Sequence, residues 1–535
     1  LIHSGASPVY LYVTASPEIM AYTRTRPDIG GFFYISASHN PIGHNGLKMG
    51  LSDGSVVGGA LSQSLIARYR ELADDPGEIA AAVEALQDTG NELEAAAYTA
   101  MPKNKTEALL AYEQFAMTVA KGPGPRADAC FAALTETLRS KQPGIVADMN
   151  GSARSLSIDR KLLTQLGSQF TAANATPGEI AHQIVPEGRG LDECRQLLAT
   201  TARKDRRYFL GYVPDNDGDR GNLVVATPTG EVRQLAAQEV FAVACVSELA
   251  WLFHTRAVER RDGALNPRVA VVVNGPTSMR IDRIAALFGA EVHRAEVGEA
   301  NVVGRARELR ESGYLVRFLG EGSNGGNITH PSAVRDPIQT VLSILKLIYT
   351  PSADNAPAPA SEWIKRADAE RGNATGASPP IREDLPVELS TILSSLPRFT
   401  TTSAFEPLAI MRVHSADHGA LKSEFEELWE ETWPEHADRL KRDLAVTGFH
   451  YENYEGTTVR PGRGNRTGAG RGGFKILLTG EDQIPRAFLW MRGSGTEPVF
   501  RVMVDVEGER PKLERELLHL LRSMVEQADK RSQAS

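Results

Sequence analysis

Ser38 lies in the run Ser36-Ala37-Ser38-His39-Asn40-Pro41, followed by Gly43, Asn45, Gly46 and Lys48, directly after the apolar stretch Gly31–Ile35. A strand placed there delivers a hydroxyl to a sharp turn, with Pro41 and the glycines shaping the loop and Asn40 able to bond its own backbone. His39 adds a group that changes charge near neutral pH and Lys48 adds a cation, so serine, histidine and lysine together could activate a hydroxyl. Without chemistry, the same run is a turn after a strand.

A second run, Asp215-Asn216-Asp217-Gly218-Asp219-Arg220, follows the strand-like segment 208–213. Carboxylates at alternate positions of a loop can converge on one hard cation, magnesium being the natural choice, and Gly218 permits a tight backbone path. A calcium-binding EF-hand loop also starts with alternating aspartates. It then needs glycine at its sixth position and glutamate at its twelfth, where this chain has Arg220 and Ala226, so that reading fails.

Two further loops carry polar groups suited to a sugar phosphate. In Gly320–Gly326, Glu321 and Ser323 offer an acceptor and a donor/acceptor for adjacent hydroxyls, although a plain polar loop has the same composition. In Arg492-Gly493-Ser494-Gly495-Thr496-Glu497-Pro498, with Arg501 beyond, two hydroxyls, glycines that expose backbone N–H groups and two guanidinium forks could cradle a phosphate. The bland alternative is a hairpin loop with charged decoration. Gly468-Ala-Gly470-Arg-Gly-Gly473 satisfies GxGxxG but precedes a strand-like run instead of following one, so it is no dinucleotide fingerprint. With Arg460, Arg463, Arg466 and Arg471 it reads as a mobile arginine-rich loop.

The elements that must position these loops alternate. Short β-rich runs at 145–149, 208–213, 269–273 and 316–319 are each separated by amphipathic helical segments, which argues for α/β units. Residues 350–384, rich in Ala, Pro, Ser and Asn, read as an insertion or linker with room for a helix at 362–371. Beyond residue 399 the pattern changes to a helix at 421–432, strands at 474–478, 488–491 and 500–506, and a terminal helix from Lys512, an α+β module. At 535 residues several domains are expected.

Composition narrows the class of function. With 41% apolar and 24% charged residues the chain reads as an ordinary globular protein, and a net charge of −8 gives no global field for nucleic acid or an anionic membrane. Cys130, Cys194 and Cys245 are spaced for neither disulfides nor zinc, which suits a cytoplasmic home. The longest apolar stretch, 235–253, is interrupted by Gln238, Glu239, Ser247 and Glu248 and reads as a core helix, too polar to span a bilayer. The first residues, Leu-Ile-His-Ser-Gly, carry no start methionine and enter apolar sequence at once, so missing N-terminal sequence is expected.

Taken in order, the four loops resemble the signature of the α-D-phosphohexomutase superfamily. Its phosphoserine loop reads Thr-Ala-Ser-His-Asn-Pro, with Ser36 here in place of the threonine and Ser38 on the phosphorylated position; Lys48 matches the family lysine ten residues on. Asp-x-Asp-x-Asp-Arg is matched by Asp215, Asp217, Asp219 and Arg220, Gly-Glu-x-Ser by Gly320 to Ser323, and Arg-x-Ser-Gly-Thr-Glu-Pro-x-x-Arg by Arg492 to Arg501. Two departures stand out. Asn324-Gly325 follows the sugar-loop serine where many bacterial members have Gly-His, closer to some glucose-specific mutases. Only 37 residues precede Ser38, fewer than the family places there, which implies a fragment or a reduced first domain.

The resemblance implies three similar mixed α/β domains plus a C-terminal α+β domain around a central cleft. They fall at 1–125 with the phosphoserine loop, 126–256 with the metal loop, 257–399 with the sugar loop and the 350–384 insertion, and 400–535 with the phosphate loop. It implies interconversion of hexose 1-phosphate and hexose 6-phosphate, glucose favoured, through phosphorylated Ser38 and a hexose 1,6-bisphosphate that also serves as activator; the alternatives are phosphomannomutase or phosphoglucosamine mutase specificity, or a non-catalytic sugar-phosphate-binding protein. The implied metal is Mg²⁺ on Ser38, Asp215, Asp217 and Asp219, with His39, Lys48 and Arg220 in catalysis. Substrate would be held by Glu321, Ser323, Asn324, Arg492, Ser494, Gly495, Thr496 and Arg501. Its partner is a small sugar phosphate, with neither nucleic acid nor membrane, and the assembly a monomer or homodimer.

Overall fold

In the computed structural model, which describes residues 5–38, 40, 43–88, 91–353, 356–375, 387–466, 470, 472–493 and 499–534, the apolar runs become strands and the chain divides into two units. The first comprises Leu1–Gly122, Leu138–Gln234 and Ile328–Gln339. It begins with α1 (Ser16–Thr25), an antiparallel pair β1 (Gly31–Ile35) and β2 (Leu47–Leu51), and helices α2 (Gly59–Asp74), α3 (Pro76–Asp88) and α4 (Asn91–Lys121). Leu11, Ile19, Tyr22, Phe32 and Ala108 form a small core that fastens α1 and β1 to α4.

A five-stranded sheet follows, made of β3 (Gly144–Asp148), β4 (Gln169–Ala173), β5 (Tyr208–Pro214), β6 (Gly221–Ala226) and β7 (Val232–Gln234) in the order β4-β3-β5-β6-β7. Strands β3, β4 and β5 run parallel, and β6 and β7 add antiparallel edges. β3 is buried at every residue, as a parallel strand covered on both faces must be. Helices α5 (Asp159–Leu166) and α6 (Asp192–Lys204) are amphipathic; α6 packs Cys194 and Leu198 against Val146 and Val213.

The second unit comprises Pro123–Thr137, Leu235–Asn327 and Thr340–Ser535. The interrupted apolar stretch is α7 (Ala237–His254), buried nearly all round as the sequence suggests. After the hairpin β8 (Glu259–Arg261) and β9 (Ala264–Asn266), the parallel strands β10 (Ala270–Asn274), β11 (Glu291–Ala295) and β12 (Phe318–Gly320) lie in the order β11-β10-β12, with helices α8 (Arg280–Phe288) and α9 (Glu299–Glu311) between them in sequence. Beyond β13 (Asn327–Thr329) and α10 (Pro337–Tyr349), the stretch read as an insertion contains α11 (Pro359–Thr375), followed by α12 (Leu389–Ser395). α11 is packed: Trp363 is fully buried, stacks on Phe288 at 6.0 Å and donates its indole N–H to Ser395 Oγ at 2.7 Å.

An antiparallel sheet completes this unit. It is built from β14 (Phe399–Thr401), β15 (Ile410–Met411), β16 (Gly448–Glu455), β17 (Thr458–Pro461), β18 (Phe474–Thr479), β19 (Pro485–Gly493) and β20 (Phe500–Glu507), ordered β14-β20-β19-β18-β16-β17 with β15 on β20. Helices α13 (His418–Leu444) and α14 (Pro511–Ala534) bury Leu421, Phe425, Leu518 and Val525 against it. α13 starts where Asp417 accepts the N–H groups of Gly419 and Ala420 at 2.8 and 3.0 Å. Among the described residues no helix is long and apolar enough to cross a membrane.

The polar interruptions of α7 have a structural use. Glu248, 1% exposed, pairs with Arg317 at 2.9 Å and with Lys346, and accepts from Ser343 Oγ at 2.8 Å. Burial would raise its pKa, but Lys346 and Arg317 outweigh burial and hold it below the usual carboxylate value. Glu248→Ala removes the buried carboxylate that both cations face, so chemical denaturation should reveal a loss of about 3–5 kcal/mol. A loss below 1 kcal/mol would mean that the triad contributes little.

Candidate active site

Ser38 sits in the connection between β1 and β2, where Ser36 N–H donates to Gly46 O at 2.9 Å and so carries the two-strand ladder one step further. Its φ is +52°, a left-handed conformation that disfavours a side chain other than glycine and that recurs at functional positions. The Ser38 N–H donates to Ser36 Oγ at 2.9 Å. From this turn the hydroxyl reaches Asp215 Oδ2 and Asp217 Oδ1, both at 3.2 Å; its single hydrogen can serve only one at a time.

The carboxylates come from the hairpin connection between β5 and β6. Asp215 N–H donates to Arg220 O and Gly218 N–H to Asp215 O, both at 3.1 Å, closing a tight turn. Gly218 has φ +67°, and a Cβ there would come within 2.5 Å of Arg154 Cγ, so both conformation and space require glycine. Lys48 arrives from β2, directly opposite Tyr34 in the sheet register. Its ammonium lies 2.5 Å from Asp217 Oδ2 and 3.2 Å from Asp219 Oδ2. Arg220 donates its backbone N–H to Asp215 Oδ1 at 3.1 Å, with its guanidinium Nε 4.0 Å from Asp219 Oδ1.

These aspartates are 1–2% exposed, and each offers an oxygen within 4.8 Å of the others. Burial pushes Asp215 well above the usual carboxylate range, and the charges of Asp217 and Asp219 push it further. Burial acts the same way on Asp219 but is outweighed by Arg335, Lys48 and Arg220, which hold it well below that range. Asp219 Oδ1 has no hydrogen-bond partner. Buried, mutually repelling carboxylate oxygens with an unsatisfied member are a donor set that fits a hard divalent cation.

In the second unit, Glu321 is 3% exposed and its Oε1 accepts from Asn274 Nδ2 at 3.0 Å and from Gly298 N–H at 2.8 Å. Ser323 is also buried, and Gly322 N–H donates to Thr277 Oγ1 at 2.9 Å. Arg492 and Arg501 are direct cross-strand partners on β19 and β20. Arg492 pairs with buried Glu296 at 2.8 Å, and Arg501 donates to Ala404 O at 2.7 Å. The turn 296–298 therefore touches both Glu321 and Arg492. His39, Ser494, Gly495 and Thr496, and the Asn324 side chain, lie outside the described residues.

Several of these contacts were not foreseen from sequence. Arg335, 5% exposed, pairs with Asp219 at 3.3 Å; its only local sign is an Arg-Asp-Pro start to α10. Ser36 donates its hydroxyl to Asp217 Oδ2 at 3.3 Å. The arginine-rich segment is corrected in its described part: Arg463 pairs with Glu430 at 2.7 Å and Arg466 with Glu426 at 2.6 Å, tying the loop to α13. Asp148, His182 and Glu193 form a second group in which Asn174 donates to both carboxylates, at 2.9 and 2.8 Å, a satisfied polar network.

Residues 247–367 match the family model "Phosphoglucomutase/phosphomannomutase, alpha/beta/alpha domain III", and residues 1–75 match the corresponding model of domain I. Both matched segments are domains of the phosphoglucomutase/phosphomannomutase family, within the α-D-phosphohexomutase superfamily that the four loops resemble. It is 25% identical over 343 residues to a probable phosphoglucosamine mutase of Methanopyrus kandleri, covering 62% of this chain and 59% of that protein. It is 24% identical over 347 residues to the phosphoglucosamine mutase of Zymomonas mobilis, covering 64% and 63%. The chain thus spans about three fifths of the length of these curated relatives. The crystal structure of the exocytosis-sensitive phosphoprotein pp63/parafusin, a phosphoglucomutase from Paramecium, superposes with a TM-score of 0.54 at 12% identity, covering 97% of this chain and 81% of that one. That likeness identifies the shared mixed α/β fold.

Proposed function

We propose that this phosphohexomutase-superfamily chain interconverts hexose 1-phosphate and hexose 6-phosphate by way of phosphorylated Ser38. The carrying observation is the Ser38 hydroxyl 3.2 Å from two members of a buried three-aspartate group. Asp215, Asp217 and Asp219 would hold Mg²⁺, which when bound supplies charge neutralisation and Lewis-acid polarisation of a phosphoryl group.

The chain's own residues supply the rest. Transfer breaks the bond from phosphorus to Ser38 Oγ and forms one from phosphorus to a sugar oxygen, whose proton passes to His39 or to Lys48, the latter only after its ammonium has given up a proton and become the neutral amine. The hexose 1,6-bisphosphate so formed returns its other phosphate to Ser38, and supplied from outside it primes the serine. Lys48 and Arg220 offset the negative charge around Oγ. Glu321, Ser323 and Asn324 are assigned to the sugar hydroxyls, and Arg492, Ser494, Gly495, Thr496 and Arg501 to the non-reacting phosphate. In this reading the four loops belong to four segments, 1–125, 126–256, 257–399 and 400–535.

The Ser323-Asn324-Gly325 sequence favours glucose, whereas the names of the curated relatives favour an amino sugar. A coupled assay with the 1-phosphates of glucose, mannose, glucosamine and N-acetylglucosamine, with Mg²⁺ and primed with a 1,6-bisphosphate, separates them. Turnover of glucose 1-phosphate is expected to be fastest. A faster glucosamine reaction would reassign the hexose, and no turnover of any would overturn the proposal.

A further inference from the structure

The backbone of the Asp215–Arg220 turn is gripped at three successive carbonyls. Asn216 O accepts Ala153 N–H at 2.9 Å, Asp217 O accepts Ser16 N–H at 2.8 Å, and Gly218 O accepts Arg154 Nη1 at 3.2 Å. The first two donors are backbone groups. The third is a side chain, 1% exposed, that the sequence marks by no motif.

Arg154 is itself immobilised. Its Nε pairs with Asp159 Oδ1 at 2.9 Å and its Nη1 with Asp336 Oδ1 at 3.1 Å, while its Nη2 donates to Tyr112 OH at 3.2 Å. Tyr112 OH donates to Asp336 Oδ2 at 2.8 Å, and Tyr212 OH donates to Asp159 Oδ1 at 2.6 Å, so both carboxylates are held in turn. Its stem packs against Gly218, where a Cβ would come within 2.5 Å of Arg154 Cγ. Asp336 is preceded in the chain by Arg335, which pairs with Asp219 at 3.3 Å. Two adjacent residues thus join the brace and the carboxylate it serves. Arg154 and Arg335 both reach the turn, Arg154 at a backbone carbonyl and Arg335 at a side-chain carboxylate.

We infer that Arg154 is a positioning residue for the metal loop: by holding the Gly218 carbonyl it sets the spacing of the Asp217 and Asp219 carboxylates for a divalent cation. This rests on the metal-binding reading of that loop. Arginine is needed because a planar fork can meet Asp159, Asp336, Tyr112 and a carbonyl at once; a lysine ammonium on a flexible stem retains the charge but not that geometry. Groups behind metal ligands characteristically change metal affinity by about 10–100-fold when removed.

The test is Mn²⁺ binding to the full chain, read as free Mn²⁺ by electron paramagnetic resonance, alongside thermal unfolding. Arg154→Lys should weaken Mn²⁺ at least about tenfold while the protein stays folded. If that variant does not fold, Arg154→Met combined with Asp159→Asn and Asp336→Asn, which removes the buried charges together, should show the same loss. Affinity within twofold of the unaltered protein in a folded variant overturns the role of Arg154 and leaves the metal loop standing. Failure of the unaltered protein to bind Mn²⁺ overturns the metal reading instead.

Discussion

Ser38→Ala is expected to lower mutase turnover by about 10⁴-fold or more, because on the proposed mechanism it deletes the atom that carries the phosphoryl group, and among the described residues no other hydroxyl reaches both Asp215 and Asp217. Ser36 is the nearest candidate, but its Oγ already accepts the Ser38 N–H at 2.9 Å and faces Asp217 Oδ2 at 3.3 Å. The substitution should leave the fold intact. The turn is held by Ser36 N–H on Gly46 O and by the β1–β2 register, neither of which uses the Ser38 side chain. The measurement is the primed coupled assay together with intact-mass analysis of the unaltered protein, which should carry phosphate on Ser38. Phosphate on another residue, with a fully active alanine variant, would falsify the assignment.

Asp217→Asn should be the next most damaging change, lowering turnover at limiting Mg²⁺ on the order of 10³-fold, since on the proposed reading it takes the charge from a direct metal ligand where outer groups alone are worth about 10–100-fold. Asp217 is the hub of the cluster. Its side chain meets Ser38 at 3.2 Å, Ser36 at 3.3 Å and Lys48 at 2.5 Å, and its carbonyl accepts from Ser16 N–H at 2.8 Å. Asparagine keeps the shape and the backbone bond while removing the charge that faces Lys48. An Mg²⁺ titration of rate therefore distinguishes lost affinity, which excess metal restores in part, from lost alignment, which it does not. Unchanged turnover at limiting Mg²⁺ would remove Asp217 from the metal site.

Local signals were read well from sequence where one short segment held the whole signal. The alternation of Asp215, Asp217 and Asp219 around Gly218 marks a tight turn between strands, and β5 and β6 flank it. The interrupted apolar run became α7, and the strands at the base of the phosphate loop lie where β-rich residues predicted them. Helix α13 is longer than expected, reaching Leu444. Pro434 lies inside it, on an exposed face where the backbone carbonyl it leaves free can be solvated.

Other features were invisible for a physical reason. Arg335, Arg154 and Glu296 are common residue types with no distinctive spacing, and their partners Asp219, Gly218 and Arg492 lie 116, 64 and nearly 200 residues away in sequence. Their meaning depends on burial, which turns an ordinary charge into one that must find a partner.

The sequence by itself determined the chemical groups at the site: a hydroxyl on a turn, alternating carboxylates, and a pair of arginines spaced across a glycine-rich loop. Each is encoded within about a dozen residues, so backbone stereochemistry alone brings its groups together. Only the tertiary structure decided which charges those groups feel. It set Lys48, Arg220 and Arg335 against the three aspartates, raised Asp215 and lowered Asp219, and placed Arg154 beneath Gly218. Electrostatic energies follow distance and burial, which only the folded chain assigns.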